Sequence, residues 1–249
     1  MRLTKTEAKD HRCRPTAKSR LIAEPVAIAA SAVARKPEFV SAQFVVVDDF
    51  LRMAKVDELI CYTLAHEPDF VRGKVISRSG VPVIDTKYRR ARELRKIGQH
   101  KYAIVRHLKA VLPLVLKRLR HRAFHVSSVD VQITASNHGD FVSPHRDSDR
   151  RTRELASREI TFVYYFRTKP KAFRGGELRV YDSRLENGEY VSAGKYKSVA
   201  PRHNRVVFFP SSLWHEVRPV HCPSRVFADS RFTVHGWILR NITDPLRNR

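Results

Sequence analysis

The sequence predicts an α+β protein with a mainly helical front half and an all-β back half of the sandwich or barrel type. Two observations support this prediction. Before about residue 124, apolar residues recur at helical spacing, whereas after residue 125 short apolar runs alternate with Gly, Pro, Asn and Asp. The length of 249 residues suits one domain with a substantial core, so we expect the helices to support the sheet within a single unit.

The N-terminal residues 1–38 mix basic, small and polar residues without a lasting period, and they predict a mobile basic extension. A single domain is then expected over 39–249, with helical support at 39–124 and the β core at 125–240. The apolar stretch 21–34 is interrupted by Glu24 and Pro25, which disfavours a secretory signal. No apolar run approaches the roughly 20 residues that would cross a membrane, so no membrane association is expected.

Two helices are predicted in the front half. The run QFVVVDDFL at 43–51 predicts a strand that leads into a helix at about 52–66. Further on, Ile104, Leu108, Val111, Val115 and Leu119 form one apolar stripe with basic residues around it, which predicts an amphipathic helix that Pro113 kinks.

The back half contains a series of short strand-like runs. They are SVDVQITAS, EITFVYYF, GELRVYD, NRVVFFP, HEVRPV and RFTVHGWIL. Turn-forming residues separate them, as in sandwiches and barrels.

The bulk composition constrains the partners only loosely. The formal net charge is +23, which suits contact with nucleic acid or another acidic partner but also follows from a generally arginine-rich surface. The three cysteines form no CxxC pair. They therefore predict a reducing, cytoplasmic location and no cysteine-built metal site.

A candidate metal site begins with His145 and Asp147, which project from the same side of a strand because they are two residues apart. A spacer of 67 residues separates them from His215. Two histidines and one carboxylate on one face of Fe(II) leave coordination positions open for a co-substrate and oxygen. Two alternatives stay open: His145 and Asp147 could form an ion pair in a basic loop, or Asp149 could replace Asp147 as a ligand.

An arginine follows the last of these histidines. Arg231 begins the strand RFTVHGWIL sixteen residues after His215. Its guanidinium could pair with the distal carboxylate of a dicarboxylate co-substrate in bidentate fashion.

The stretches SPHRD, REITFVYYF, GGELRVYD, FFPSSLWHEVRPV and RFTVHGW resemble the core of the 2-oxoglutarate- and Fe(II)-dependent dioxygenases of the prolyl 4-hydroxylase type, over about residues 125–240. The resemblance implies a double-stranded β-helix, a jelly-roll variant, backed by helices. It implies that His145, Asp147 and His215 bind Fe(II), and that Arg231 and Tyr165 bind 2-oxoglutarate. It also implies oxygen as a co-substrate and ascorbate as a reductant.

Two details of the resemblance leave alternatives. Arg225 lies ten residues after His215, a common interval in the family, but Arg231 is favoured because Trp237 follows it by six. The family often has a tyrosine nine or ten residues before the first ligand, where this chain has Ala135 and Ser136. Asn137 or Gln132 could take its place.

Three further expectations concern neighbouring residues. Tyr164 is expected to face away from Tyr165 and pack, and Gly175 and Gly176 match the family's bend before the next strand. Four further histidines are expected to be structural or superficial: His138, His203, His221 and His235.

The resemblance implies a hydroxylase that couples oxidation of its substrate to the conversion of 2-oxoglutarate into succinate and CO2. The substrate could be a protein or peptide prolyl residue or an amino-acid-like small molecule. One alternative is a nucleic-acid oxidative demethylase, because Arg225 and Arg231 have the six-residue interval seen in those enzymes; another is a β-helix that only binds a partner. Arginines near the loop after Asp147 favour an acidic or phosphate-bearing substrate: Arg146, Arg150, Arg151 and Arg153.

Overall fold

The computed structural model describes residues 38–77, 79–149, 152–186 and 189–242. Apart from Glu38, the extension expected at 1–38 lies outside the described residues. So do Arg150 and Arg151 of the loop after Asp147. The description below concerns the single compact unit that begins at Lys36.

Helices α1 (Met53–Ala65) and α2 (His100–Leu119) match the two predicted helices, and a short helix α3 (Arg153–Ser157) precedes the central strands. Helix α2 is assigned without interruption through Pro113 and ends at Arg120, whose φ of 51° is left-handed. Its last turn carries Lys117 and Arg118, which complement the negative end of the helix dipole. Within the described part of the chain, no helix combines the length and apolar character needed to cross a membrane.

Strands are present in both halves of the chain. Those of the front half are β1 (Glu38–Val40), β2 (Val45–Val47), β3 (Val71–Arg72), β4 (Val75–Ile76), β5 (Pro82–Val83), β6 (Arg89–Arg90) and β7 (Arg92–Leu94). Those of the back half are β8 (Val126–Ser136), β9 (Phe141–His145), β10 (Arg158–Phe166), β11 (Arg174–Gly175), β12 (Leu178–Glu186), β13 (Glu189–Val199), β14 (Arg205–Pro210), β15 (His215–Val217), β16 (Val220–His221) and β17 (Arg231–Arg240).

These strands form two main antiparallel sheets. One has the order β2-β14-β10-β17-β8-β7-β3, and the other has the order β1-β12-β15-β9-β6 with β13 beside β12. Apart from the β12–β13 hairpin and the small sheet of β11 and β16, the strands of the back half alternate between the two main sheets. Strands β9, β12 and β15 lie in one, while β8, β10, β14 and β17 lie in the other. This is the jelly-roll arrangement that the sequence predicts, and the α+β fold class is confirmed.

Two apolar layers hold the elements together. The outer face of the seven-stranded sheet packs against α1 and α2 through side chains such as Phe162, Tyr164 and Leu108, which are fully buried. Between the sheets, a smaller core includes Tyr165 and Phe209. The alternation along β10 therefore sends Tyr164 to the helices and Tyr165 to the interior of the sandwich, as predicted.

The front half is less helical than the sequence indicates. Strands β3 to β7 occupy the chain between α1 and α2, and β6 and β7 join different sheets. These strands are only two or three residues long. Strands this short contain too few residues for an alternation of apolar and polar side chains to be visible in the sequence. Pairing with β9 and β8 defines β6 and β7 instead.

Gly236 on β17 allows the closest approach of two central strands. A Cβ atom built there would lie 1.8 Å from the carbonyl oxygen of Asp130 on β8. We expect Gly236→Ala to lower the free energy of unfolding by about 3 kcal/mol, because the two strands must separate. Gly194→Ala is the matched control: its φ of +82° adds strain of about 1 kcal/mol, but nothing lies within 4 Å. Chemical denaturation measures both, and equal losses would contradict the prediction.

Candidate metal centre

Three side chains from two neighbouring strands meet between the sheets. His145 is the last residue of β9 and His215 is the first of β15, and the two are direct partners in the antiparallel register. Asp147 follows β9 by two residues, and its backbone N–H donates to the carbonyl of Ser211 at 3.1 Å. The strand pairing and this turn together bring the three predicted ligands into one place.

The polar atoms of this group face one another. Nε2 of His145 lies 3.5 Å from Oδ1 of Asp147, and Nε2 of His215 lies 3.3 Å from Oδ2. Their ligand atoms all lie within 4.8 Å of one another. Each Nδ1 atom contacts a backbone carbonyl, of Ser143 at 2.9 Å and of Leu213 at 3.0 Å, which fixes the rings with Nε2 toward Asp147.

A second layer of hydrogen bonds orients Asp147. The hydroxyl of Thr161 donates to Oδ2 of Asp147 at 2.7 Å, and Thr161 also contacts the hydroxyl of Ser211 at 2.9 Å. Thr161 is 2% exposed, so this contact is shielded from water. Thr161 thus limits rotation of the Asp147 carboxylate, and such rotation would lower the affinity for a metal ion.

The electrostatics of the group favour a charged carboxylate. Burial alone raises the pKa of Asp147, but the two imidazoles beside it lower this pKa well below its usual range. Burial lowers the pKa of His145, and the charge of His215 lowers it further. The pKa of His215 is raised: burial lowers it, but the charge of Asp147 outweighs that effect.

The donor set fits a divalent iron ion. Two imidazole nitrogens and one carboxylate, with their other polar atoms already occupied, are the ligands of a facial triad. Among the described residues this is the group that could hold a metal, and Asp149, the alternative ligand, is not part of it.

We expect Thr161→Val to weaken Fe(II) binding by about 10- to 100-fold, because the carboxylate of Asp147 loses its orienting donor. Thr161→Ser keeps the hydroxyl and should retain most of the affinity. Anaerobic titration with Fe(II) measures both. Equal affinities for wild type and Thr161→Val would show that the hydrogen bond does not position Asp147.

A buried guanidinium and phenol lie together on the inner wall. The guanidinium carbon of Arg231 lies 5.0 Å from the centre of the Tyr165 ring. Nε of Arg231 donates to the carbonyl of Gly176 at 2.8 Å, whereas one terminal nitrogen of Arg231 and the hydroxyl of Tyr165 are buried without a hydrogen-bond partner among the described residues. Burial lowers the pKa of Arg231, and Tyr165 opposes this change. Two buried donors without partners among the described residues could bind an acceptor such as a carboxylate.

The neighbouring glycines make room for this arginine. Gly175 and Gly176 have φ values of +74° and +70°, and a Cβ atom at Gly176 would lie 2.5 Å from Cδ of Arg231. The predicted bend before β12 is therefore also the place where backbone and guanidinium come close.

The other residues proposed from the sequence lie elsewhere. Arg225 is exposed in the turn after β16, with a φ of 56°. The amide of Asn137 donates to the carbonyl of Val226 and to the hydroxyl of Ser230, at 2.9 and 2.8 Å, and so ties that turn in place. Ala135 packs on the helix side, whereas Ser136 is buried opposite Arg231 in the register.

His235, which the sequence predicts to be structural or superficial, lies on the inner wall and is not part of the metal group. It is four residues after Arg231 on β17, and its ring contacts the amide of Gln132 at 2.8 Å and the hydroxyl of Thr134 at 3.2 Å. Burial lowers the pKa of His235 to about 3, and the charge of Arg89 contributes to the decrease. A neutral imidazole, with both nitrogens occupied, therefore forms part of the same wall.

His235 should make folding sensitive to acid. Its imidazole gains a proton near pH 6.5 in the unfolded chain but only near pH 3 in the folded protein. Stability should therefore fall as the pH decreases through this interval, by up to about 1.4 kcal/mol per pH unit from this residue. We expect His235→Gln to have a shallower dependence in denaturation experiments at a series of pH values, and an unchanged slope would contradict the burial of a neutral ring.

Comparison with known proteins shows which family this part of the chain resembles. Residues 131–239 match the model of the 2OG-Fe(II) oxygenase superfamily. The chain is 35% identical over 198 residues to an uncharacterized PKHD-type hydroxylase of Synechocystis sp., an alignment that covers 79% of this chain and 63% of that protein. The chain thus spans less than two thirds of the length of this relative.

Solved structures have the same fold. The structure is similar to a prolyl-4-hydroxylase of Pseudomonas putida, with a TM-score of 0.57, 16% identity, and coverage of 80% of this chain and 94% of the other. It is also similar to a Trichoplax adhaerens prolyl hydroxylase in complex with a peptide of hypoxia inducible factor, with a TM-score of 0.56, 18% identity, and coverage of 79% and 83%. Residues 131–239 therefore resemble the 2OG-Fe(II) oxygenase superfamily in sequence, and the structure has the double-stranded β-helix fold of the prolyl 4-hydroxylases.

Proposed function

We propose that this protein is an Fe(II)- and 2-oxoglutarate-dependent dioxygenase that hydroxylates an organic substrate. One observation carries the proposal. His145, Asp147 and His215 place their ligand atoms within 4.8 Å of one another, in the interior that also holds the buried guanidinium of Arg231. A metal triad and a carboxylate-binding cation inside one sandwich meet the two requirements of this chemistry.

Each residue has a defined task in this proposal. His145, Asp147 and His215 hold the iron, and Thr161 holds Asp147 in place through its hydroxyl. Arg231 and Tyr165 bind the distal carboxylate of 2-oxoglutarate through the donors that lack partners in the described residues. When bound, iron with 2-oxoglutarate would activate molecular oxygen, which supplies the oxidising power that the side chains lack, with succinate and CO2 as the co-products.

Aromatic side chains also control the access of water to the two histidines and the direction from which a substrate can approach them. Phe209 stacks edge-on against the ring of His215, with ring centres 4.7 Å apart, and Tyr88 lies edge-on to His145 at 6.3 Å. These aromatic contacts protect one side of each imidazole. A dry wall of this kind strengthens the electrostatic contacts inside and excludes side reactions.

The proposed substrate class is a prolyl residue of a protein or peptide, or an amino-acid-like small molecule. Two similarities support it: the Synechocystis relative is described as a PKHD-type hydroxylase, and the two solved structures are described as prolyl hydroxylases. We also propose ascorbate as the reductant. A reducing, cytoplasmic location fits the two described cysteines, because Cys61 and Cys222 are both free.

The proposal is tested by measuring succinate formation from 2-oxoglutarate. Purified protein with Fe(II), ascorbate and 2-oxoglutarate should release succinate slowly even without the primary substrate, and a metal chelator should stop the release. The folded protein should also bind Fe(II) under anaerobic conditions. A folded protein that neither binds Fe(II) nor forms succinate would refute the proposed activity.

A further inference from the structure

A second buried guanidinium, that of Arg89, lies where the chain passes from one sheet to the other. β6 pairs with β9, the strand that ends at His145, whereas β7 pairs with β8 in the opposite sheet. Only Ala91 separates β6 from β7. Arg89 on β6 therefore lies at a connection that joins the two sheets, on the strand next to the one that ends at His145.

The contacts of Arg89 satisfy only part of its guanidinium. One terminal nitrogen donates to the carbonyl of Lys74 at 3.0 Å, and the other lies 3.4 Å from Oε2 of Glu93 without a hydrogen bond. Nε of Arg89 is buried and has no hydrogen-bond partner among the described residues. The side chain is only 13% exposed, so water cannot readily compensate.

Arg89, Glu93 and Arg95 form a corner of the structure whose positive charge Glu93 does not neutralise. Glu93 is 2% exposed, and its Oε1 accepts two hydrogen bonds from Arg95, at 3.0 and 3.2 Å. One carboxylate is thus shared by two guanidinium groups, and the three together carry one positive charge. Asp147 is the other acid whose charge acts on Arg89, and it already faces His145 and His215. Within the described part of the chain, the charge of Arg89 therefore has no carboxylate of its own.

This corner belongs to the same inner wall as the metal centre. Glu93 lies opposite Thr134 in the register of β7 and β8, and Thr134 contacts His235. Burial lowers the pKa of Arg89, while the charges of Glu93 and Asp147 oppose this change.

Arg89 shares its features with Arg231, to which the distal carboxylate of 2-oxoglutarate is assigned above. Both are largely buried cations with a nitrogen that lacks an acceptor among the described residues. We infer that Arg89 binds a carboxylate of the primary substrate, so that the enzyme oxidises a small free carboxylic acid of the amino-acid or short-peptide kind. A single negative charge suits the site better than a phosphate dianion, because the corner has a net charge of only +1 and Glu93 would repel the second charge. This inference rests on the proposed function.

Binding is measured first in a complex that cannot turn over. The full-length chain is loaded with Zn(II), which has no redox chemistry, and with 2-oxoglutarate. It is then titrated calorimetrically with L-amino acids and C-terminally free dipeptides, each paired with its carboxamide. We expect some of the acids to bind at least tenfold more tightly than their amides, because the amide leaves a buried cation without an anion. The two sets of acids distinguish a free amino acid from a peptide terminus.

Matched variants then assign the preference to Arg89. Arg89→Gln should abolish the tenfold preference for acids, and Arg89→Lys should retain part of it. Arg95→Gln is the control, because it removes the other guanidinium that pairs with Glu93. Arg95 is 65% exposed and should not contact the substrate. A preference that survives in Arg89→Gln overturns the inference, as does the absence of any carboxylate-dependent binding across the set.

Failure of this inference can be told apart from failure of the proposed function. If the Fe(II) protein forms succinate but acids and amides bind or stimulate equally, the enzyme is an oxygenase and Arg89 does not select its substrate. If the protein forms no succinate and binds no iron, the proposed activity itself is wrong. The Zn(II) titration gives a result in either case, since it does not depend on turnover.

Discussion

His215→Ala is expected to weaken Fe(II) binding by more than about 100-fold and to eliminate succinate formation. Loss of an outer-layer partner alone costs 10- to 100-fold in metal affinity, so loss of a ligand should cost more. His215 is 5% exposed and pairs directly with His145, and no fourth potential ligand belongs to this group among the described residues. Anaerobic titration with Fe(II) measures the affinity, and a coupled assay measures succinate.

The matched control for this prediction is His221→Ala. His221 lies on the short strand β16, where it contacts Arg174 at 3.2 Å and takes no part in the metal group. The His221→Ala protein should bind iron and form succinate like the wild type. Because His215 also packs against Phe209, the melting temperature of the His215→Ala protein must be checked. If the folded His215→Ala protein still binds Fe(II) as tightly as the wild type, the triad is assigned incorrectly.

Arg231→Gln is expected to raise the KM for 2-oxoglutarate by roughly 30-fold or more, because truncating one partner of a buried charge pair costs at least about 2 kcal/mol. Iron affinity should change little, since the guanidinium contacts Gly176 and Tyr165 rather than the metal ligands. Arg231→Lys keeps the charge but loses the planar fork, and it should recover only part of the affinity.

Arg225 provides the comparison for this effect. It is exposed in a turn, and Arg225→Gln should leave the KM for 2-oxoglutarate unchanged. The pair of variants therefore decides between the two arginines that the sequence proposes. An increase in KM for Arg225→Gln together with no change for Arg231→Gln would reverse the assignment.

Much of the site could be predicted because its residues belong to strong local patterns. His145 and Asp147 are two apart, and Tyr165 lies in an apolar strand whose alternation separates it from Tyr164. The two main helices also follow from apolar spacing. The observed limits of α1 lie within a residue of the predicted ones, and α2 contains the whole predicted apolar stripe. In each case the information is contained in fewer than about twenty consecutive residues.

Other features depend on contacts between distant segments. Thr161 lies four residues before Tyr165, so its position on the inner face could have been deduced from strand alternation, but its bond to Asp147 depends on the loop after β9. His235 is related to Arg231 in the same way, and its contacts with Gln132 and Thr134 come from pairing across 101 to 103 residues.

Arg89 had no local signal. It lies among thirteen lysines and arginines between 86 and 122, most of which face solvent as a basic surface would. Only the passage of β6 and β7 between the sheets turns this one arginine inward. Burial, rather than residue type, distinguishes it from its neighbours.

The most direct test of the proposed chemistry is to follow the fate of molecular oxygen. The full-length protein is incubated with Fe(II), ascorbate, 2-oxoglutarate and oxygen-18 gas, and the succinate is analysed by mass spectrometry. A 2-oxoglutarate-dependent dioxygenase transfers one atom of oxygen into the new carboxylate, so we predict succinate with one heavy oxygen, absent in His215→Ala. Succinate without the label, or no succinate from a protein that binds Fe(II), would contradict the proposed function.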